Sequence, residues 1–191
     1  MFYEPSKRNH GLPHDPFKAI VAPRPIGWIT SMSARGEINL APYSYFNGVS
    51  SDPPMVMFAS EGRKDSVVFV EETREFVCNL ATFDLRQEMN TTSGPYPRGV
   101  DEMKEAGLEA APSVLVKVPR VKASPCAMEC KWLQTVRLDD VDGLLDTAAM
   151  QPIARAGYHD YFVGTPETKF SLRRPKGGGA DHLEALKTAA E

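Results

Sequence analysis

Prolines and glycines decide what this chain can become. Sixteen Pro and fourteen Gly are spread over 191 residues and cut the chain into short pieces. Proline lacks a backbone donor and glycine loosens the backbone, so long helices do not survive this rhythm. Short strands joined by turns do. With 42% of its residues hydrophobic, a chain of this length can bury a sizeable core as one domain.

The pieces between these breaks read mostly as strands. Residues 26–32, "IGWITSM", form one, and "SARGEINL" supplies a turn at Arg35-Gly36 and a return strand, a predicted hairpin. "MVMFAS" (55–60) is a further apolar run. "EFVCNLAT" alternates Phe76, Cys78 and Leu80 against Val77, Asn79 and Ala81. "SVLVKVPRV" alternates through Val114, Val116 and Val118, and "CAMECKWLQTVRL" also alternates. Three short helices fit between them. "KDSVVFVEETRE" has Asp65 as its expected N-cap, "DLRQEMNTTS" has a capping-box pattern at Asp84 and Gln87, and "DEMKEAG" runs from Asp101 to Gly107. Five or six strands with short helices predict a mainly β barrel with peripheral helices. The triple glycine in "RRPKGGGADHLEALKTAAE" is a flexible joint. The expected organisation is therefore a domain over residues 1–175 and a hinged tail over 176–191. The tail's helix candidate has little apolar face beyond Leu183 and Leu186 and is marginal alone.

Composition removes several classes of function. A net charge of −3 and a pI near 5.9 give no reason to expect nucleic acid or an anionic membrane as partner. The opening "MFYEPSKRNHGLPHDPF" is polar and proline-rich, and no apolar run has the length of a membrane span, so a soluble cytoplasmic protein is expected. Cys78, Cys126 and Cys130 are few and odd in number, against a disulfide framework. The spacing of "CAMEC" is wider than a zinc pair requires, so no metal is expected and each Cys reads as a small core residue. His10 and His14 are separated by Gly11 and Pro13 and read as solvated. His182 lies in the tail. His159, in "RAGYHDY", is either a structural polar group or a weak catalytic candidate. No G-x-S-x-G, P-loop, G-x-G-x-x-G or H-E-x-x-H motif occurs.

Three stretches point toward a ligand. In "SEGRKDSVV" a strand ends at Ser60, Arg63 and Lys64 follow, and a helix starts near Asp65-Ser66. Free amides at a helix start beside two cations make an anion site, the alternative being an ordinary charged loop. In "PRPIGWITS", Trp28 reads as core, whereas Gly27 marks a close approach of backbone or of a flat ligand. "NLAPYSYFNGVSSDPP" is too polar and too broken by Pro for a buried strand, yet too aromatic for a plain loop.

The blocks "HGLPHDPFKAIVAPRPIGWITSMSARGEINLAPYSYFNGVSSDPPMVMFAS", "KDSVVFVEETREFVCNL", "GVDEMKEAGLEAAPSVLVKVPRV", "ECKW" and "PIARAGYHDYF", in this order, resemble the flavin reductase-like family of FMN-binding split-barrel proteins. The resemblance runs from about Tyr3 to Pro175. It implies a six-stranded Greek-key barrel, a homodimer, and FMN close to the dimer interface. It places Thr30, Ser31, Ser44, Phe46 and Asn47 at flavin-facing positions, with Trp28 counted in the same cofactor-binding set. It places Ser60, Arg63, Lys64 and Ser66 at the phosphate. These residue types suit the ligand, since an isoalloxazine takes hydrogen bonds at its rim and apolar cover on its plane. The implied activity is hydride transfer from NADH or NADPH to flavin, supplying a partner oxygenase or another acceptor. Arg155 and His159 are the candidates near the nicotinamide face. An electron carrier without NAD(P)H chemistry, or a non-redox flavin-binding module, are the alternatives. One departure stands out: after Gly143 the chain passes almost at once to "PIARAGY", so a strand that the family carries there is expected to be missing.

Overall fold

The computed structural model describes residues 2–136, 145–146, 153–156, 160–163 and 172. Contacts divide the chain into two units, residues 1–24 with 136–171 and residues 25–135 with 172–191. The expected tail, 176–191, lies outside the described residues.

The smaller unit opens with β1 (Phe2–Tyr3) and the single-turn helix α1 (Phe17–Ile20). His10 is half-buried rather than solvated. Its ring meets Tyr3 edge-on at 5.5 Å, and its Nδ1 accepts from the Leu12 N–H.

The larger unit carries β2 (Gly27–Met32), β3 (Ile38–Tyr43), β4 (Phe46–Ser51), β5 (Pro54–Phe58), α2 (Asp65–Thr73) and β6 (Glu75–Leu80). It continues through α3 (Arg86–Thr91), α4 (Glu102–Glu105), β7 (Ala110–Ala111), β8 (Arg120–Val121) and β9 (Ala127–Lys131). In the smaller unit, β10 (Leu145–Asp146) pairs with β1, and β11 (Ile153–Ala156) pairs with β12 (Asp160–Val163). The fold is mainly β with a few short helices. No helix among the described residues is long and apolar enough to cross a membrane.

The centre is an antiparallel sheet in the order β3-β2-β6-β9, with β4 and β5 as a separate hairpin. The predicted β2–β3 hairpin forms. Ser33 and Glu37 close it, and Gly36 turns at φ +87°, a left-handed conformation that glycine adopts at no steric cost. Register assigns the side chains to two faces. Gly27, Ile29 and Ser31 share one face with Tyr43, Ala41 and Asn39 of β3 and with Cys78 of β6. Ile29, Tyr43, Phe76 and Cys78 there pack with Val70 of α2 and with Phe46, Val56 and Phe58 of the β4–β5 hairpin. Trp28 and Leu40 occupy the other face with Met103 of α4 and Val121 of β8. Being covered on both sides, β2 has no exposed polar alternation.

Four local expectations fail for tertiary reasons. "SVLVKVPRV" is not a strand until Arg120. Its Val114, Leu115 and Val116 amides donate to the Glu129 carboxylate, and the Lys117 amide donates to Glu75. Carboxylates from β9 and β6 thus replace a ladder partner, Val116 and Val118 pack against Val77, and Val114 and Leu115 stay exposed. Asp84 and Gln87 do not cap α3. The chain first makes a turn from Phe83 to Arg86, so the helix begins at Arg86 with Leu85 at the cap. Cys126 is exposed, not core, while Cys78 is buried and Cys130 half-buried. Burial pushes the Cys78 and Cys130 thiols up to about 12 and about 11. Finally, most of "NLAPYSYFNGVSSDPP" is strand: Asn39–Tyr43 belongs to β3, Pro54 opens β5, and between them lies β4. Its outer face is open, so polar side chains cost nothing there, and a bulge at Gly48–Ser50 takes up the irregularity. The helix expected from Asp101 to Gly107 is the shorter α4, with Asp101 as its cap, accepting from the Met103 and Lys104 amides.

Candidate functional site

Between β5 and α2 the chain must turn sharply, and "SEGRK" makes the turn. Ser60 Oγ donates to the Gly62 carbonyl at 2.9 Å, and Gly62 has φ +83°. Lys64, extended, stands at the cap position, with Asp65 following as the first helical residue rather than the cap. The Lys64 side chain makes no cap hydrogen bond, and among the described residues no other side chain is seen on the opening amides of α2. Amides at a helix start have no intrahelical partner, and the helix dipole makes that end positive.

Cations gather at this helix start. Arg63 pairs with Glu71 of α2 at 2.7 Å. Lys64 is exposed and has no ion-pair partner among the described residues. Arg98 arrives from the loop before α4 and donates through Nε and Nη2 to Asp65, at 2.8 and 2.5 Å. Arg98 was outside the expected set, because nothing local in "GPYPRGV" connects it to a helix thirty-three residues earlier.

Hydroxyls lie beneath the same point. Tyr43, the last residue of β3, is 7% exposed, and among the described residues its hydroxyl makes no well-formed hydrogen bond. Burial raises its pKa, while the neighbouring Ser66 and Ser60 hydroxyls act in the opposite direction. Ser66 is buried and donates to Asn39 Oδ1 at 2.5 Å. Asn39 Nδ2 donates to Glu102 Oε1 at 2.6 Å, and the Leu40 amide donates to Oε2 at 3.0 Å. Burial pushes the Glu102 carboxyl up to about 7 against the lowering effect of these donors. Neither Tyr43 nor Glu102 carried a sequence signal; each reads locally as a strand aromatic and a helix acid.

The remaining expected residues divide by sheet face. Ser31 is fully buried on the face that carries Tyr43, and its hydroxyl has no partner. Phe46 lies on that side too, with its ring over Gly27; a Cβ at Gly27 would stand 2.5 Å from Phe46 Cδ2. The close approach predicted at Gly27 is therefore that of Phe46. Ser44 sits half-buried at the corner between β3 and β4, and Asn47 is exposed on β4. Trp28 and Thr30 are on the far face, wholly engaged. The Trp28 indole donates to Thr92 Oγ1 at 2.9 Å, and Thr30 Oγ1 accepts from Asn79 Nδ2 at 2.8 Å. Arg155 pairs in register with Tyr161 in β11–β12. His159 lies outside the described residues.

The chain has counterparts among known proteins. The family model described as "Flavin reductase like domain" matches residues 21–169. The chain belongs to this family. A relative from Deinococcus radiodurans, described as an uncharacterized protein, is 36% identical over 187 residues, 82% of each chain. Among solved structures, nitrilotriacetate monooxygenase component B from Bacillus cereus is 25% identical with a TM-score of 0.62, over 86% of this chain and 96% of that one. The 2-nitrobenzoate 2-nitroreductase of Pseudomonas fluorescens is 25% identical with a TM-score of 0.61, over 86% and 94%.

Proposed function

We propose that this flavin reductase-like protein is an FMN-dependent oxidoreductase that holds the FMN phosphate at the first turn of α2. The observation that carries the reading is the meeting of Arg63, Lys64 and Arg98 at uncapped amides beside the orphaned Tyr43 hydroxyl. A phosphate dianion fits these groups: it needs donors and positive charge, and the site is built from both. Lys64 is the cation whose charge is uncommitted among the described residues. Each charge-assisted bond contributes about 1.5–3 kcal/mol. From the phosphate the flavin would extend along Ser44, Phe46 and Asn47, with Ser60 and Ser66 at the phosphate end. Ser31 offers an unmet hydroxyl on the same sheet face, and Trp28 and Thr30 stiffen the wall from behind.

When bound, FMN would supply two-electron chemistry, with NADH or NADPH as the hydride source and an acceptor such as a partner oxygenase. A monooxygenase component and a nitroreductase among the solved relatives support this class of reaction. Arg155 and His159 remain the candidates for the nicotinamide side. The reading includes a six-stranded Greek-key closure and a cytoplasmic homodimer. The open face of the β4–β5 hairpin, where Val49 and Met57 are exposed beside Asn47, suits a second copy.

The test is the absorbance spectrum of the purified protein, followed by FMN and riboflavin titrations and anaerobic stopped-flow with each nicotinamide. FMN binding well above riboflavin, with bleaching faster than that of free FMN, is expected. Failure to bind FMN rejects the reading. Binding without bleaching moves the protein to the electron-carrier class.

A further inference from the structure

Glu102 does not touch the proposed ligand site, yet a continuous hydrogen-bond chain joins the two. Its order is Glu102, Asn39, Ser66, with the Tyr43 hydroxyl beside Ser66. Glu102, Asn39, Ser66 and Tyr43 are all buried, so no bulk solvent reorganises the chain from the side.

The direction of these bonds follows from donor and acceptor counts. An ionised carboxylate only accepts. It therefore turns Asn39 so that Nδ2 faces Glu102 and Oδ1 faces Ser66. Oδ1 in turn takes the single hydroxyl proton of Ser66. Ser66 is left with lone pairs alone to offer Tyr43 or an anion, which is the wrong polarity for a phosphate.

Protonating Glu102 removes that constraint. One proton from solvent adds to Oε1, while Oε2 keeps the Leu40 amide. The new O–H donates to Asn39 Oδ1 once the amide turns over by half a rotation. Nδ2 then donates to Ser66 Oγ, and the Ser66 proton is released toward Tyr43 and the α2 start. Every hydrogen bond in the chain survives with its direction reversed.

We infer that Glu102 and Asn39 are positioning residues whose hydrogen-bond direction sets whether Ser66 and Tyr43 offer a donor or an acceptor to an anion at the start of α2. The inference rests on the FMN-phosphate reading above and specifies how that site is regulated: anion binding is linked to proton uptake at Glu102. Burial places the carboxyl at about 7, so both directions are populated near neutrality. The charged groups bearing on this chain are few. Asp101, on the same turn as Glu102, raises it and is itself paired with Lys104. On the β3 side Tyr43 lies in the field of Glu102, and on the α2 side Asp65, paired with Arg98, acts on Tyr43.

Glu102→Gln tests the inference, because its amide keeps Oε1 as the acceptor of the Leu40 amide while Nε2 donates to Asn39, holding the reversed direction at every pH. FMN and riboflavin dissociation constants are measured by fluorescence for wild type and variant between pH 6 and 8.5. Taking the ratio of the two proteins cancels the second ionisation of the ligand's own phosphate, near pH 6. The variant should bind FMN about as well as wild type at pH 6 and about tenfold more tightly at pH 8.5. Riboflavin should show no such divergence. Ser66→Ala, which deletes the reversible hydroxyl, should abolish the divergence when combined with Glu102→Gln. A wild-type preference for FMN with a ratio flat in pH overturns the inference and leaves the FMN reading intact. The thermal shift of the ligand-free protein in sulfate, a dianion at both ends of this pH range, separates the two further. A larger shift in wild type at pH 6 than at pH 8.5, lost in Ser66→Ala, supports the inference even if FMN does not bind; a shift equal at both pH values, or none, overturns it.

Discussion

The two faces of β2 treat polar groups in opposite ways. On the face of Trp28 and Thr30, every polar group named here is matched. Asn79 donates to the Trp28 carbonyl and to Thr30 Oγ1, and its Oδ1 accepts from the Val121 amide. Trp28 is tied to Thr92. That face locks the sheet to β8 and the α3 end through these bonds. On the face of Ser31 and Tyr43, two buried hydroxyls have no partner, and a carboxyl is held near its titration point. Unmet buried polar groups cost stability, so a fold retains them where something else meets them. The difference separates a face whose polar groups are spent on the fold from the face proposed above to meet the ligand.

The strongest challenge to this contrast is Trp28→Ala. Truncating a fully buried Trp should cost about 3–5 kcal/mol in urea unfolding. Because Trp28 faces away from the site, the ratio of FMN to riboflavin affinity in the folded protein should stay near that of wild type. A selective loss of FMN would place Trp28 in the ligand site and erase the distinction between faces.

Glu102 sharpens the contrast through pH. Its folded pKa is raised from 4.5 to about 7, so the folded state holds a proton that the unfolded state has released between those values. Its contribution is fully present below the unfolded pKa and is lost as pH rises through about 7. Over that window the loss is at most about 3 kcal/mol. Chemical unfolding at pH 5 and pH 8 should show this fall, and Glu102→Gln should flatten it. A wild-type stability that rises over the same window would show the carboxyl to be ionised throughout.

At the ligand end, Lys64→Ala and Arg98→Ala should each weaken FMN by about tenfold with riboflavin nearly unchanged. Arg98→Ala carries more information, since only the folded chain brings that side chain to Asp65. Equal losses for both flavins would move the phosphate elsewhere. The smallest effect is expected of Tyr43→Phe. Among the described residues its hydroxyl has the Ser66 and Ser60 hydroxyls as neighbours but no well-formed hydrogen bond to lose, so stability should change by less than about 0.5 kcal/mol. FMN should still weaken about threefold, the value of one neutral hydrogen bond. A destabilisation of several kcal/mol would mean that the hydroxyl is already satisfied within the protein.

Much of this was legible in the residues alone. The Arg35-Gly36 turn, the Asp101 cap and the strand at "EFVCNLAT" are local events: a glycine at positive φ, a carboxylate within reach of two amides, a side-chain period of two. The helix start after "GRK" is local as well, and with it came Arg63 and Lys64. Tertiary structure alone decided everything that depends on a partner distant in the chain. Val114 to Lys117 leave the strand conformation because Glu129 and Glu75 supply acceptors from other strands. Arg98 joins α2 across a long loop, and Gly27 receives Phe46 instead of a ligand. Trp28 and Ser31, three residues apart on one strand, fall on opposite faces by the period of two, but only the packing of β2 between β3 and β6 shows which face is matched and which is open. A carboxyl near 7 is likewise no property of "DEMKEAG". Burial against β3 creates it, because a charge removed from water gives up part of its ionisation.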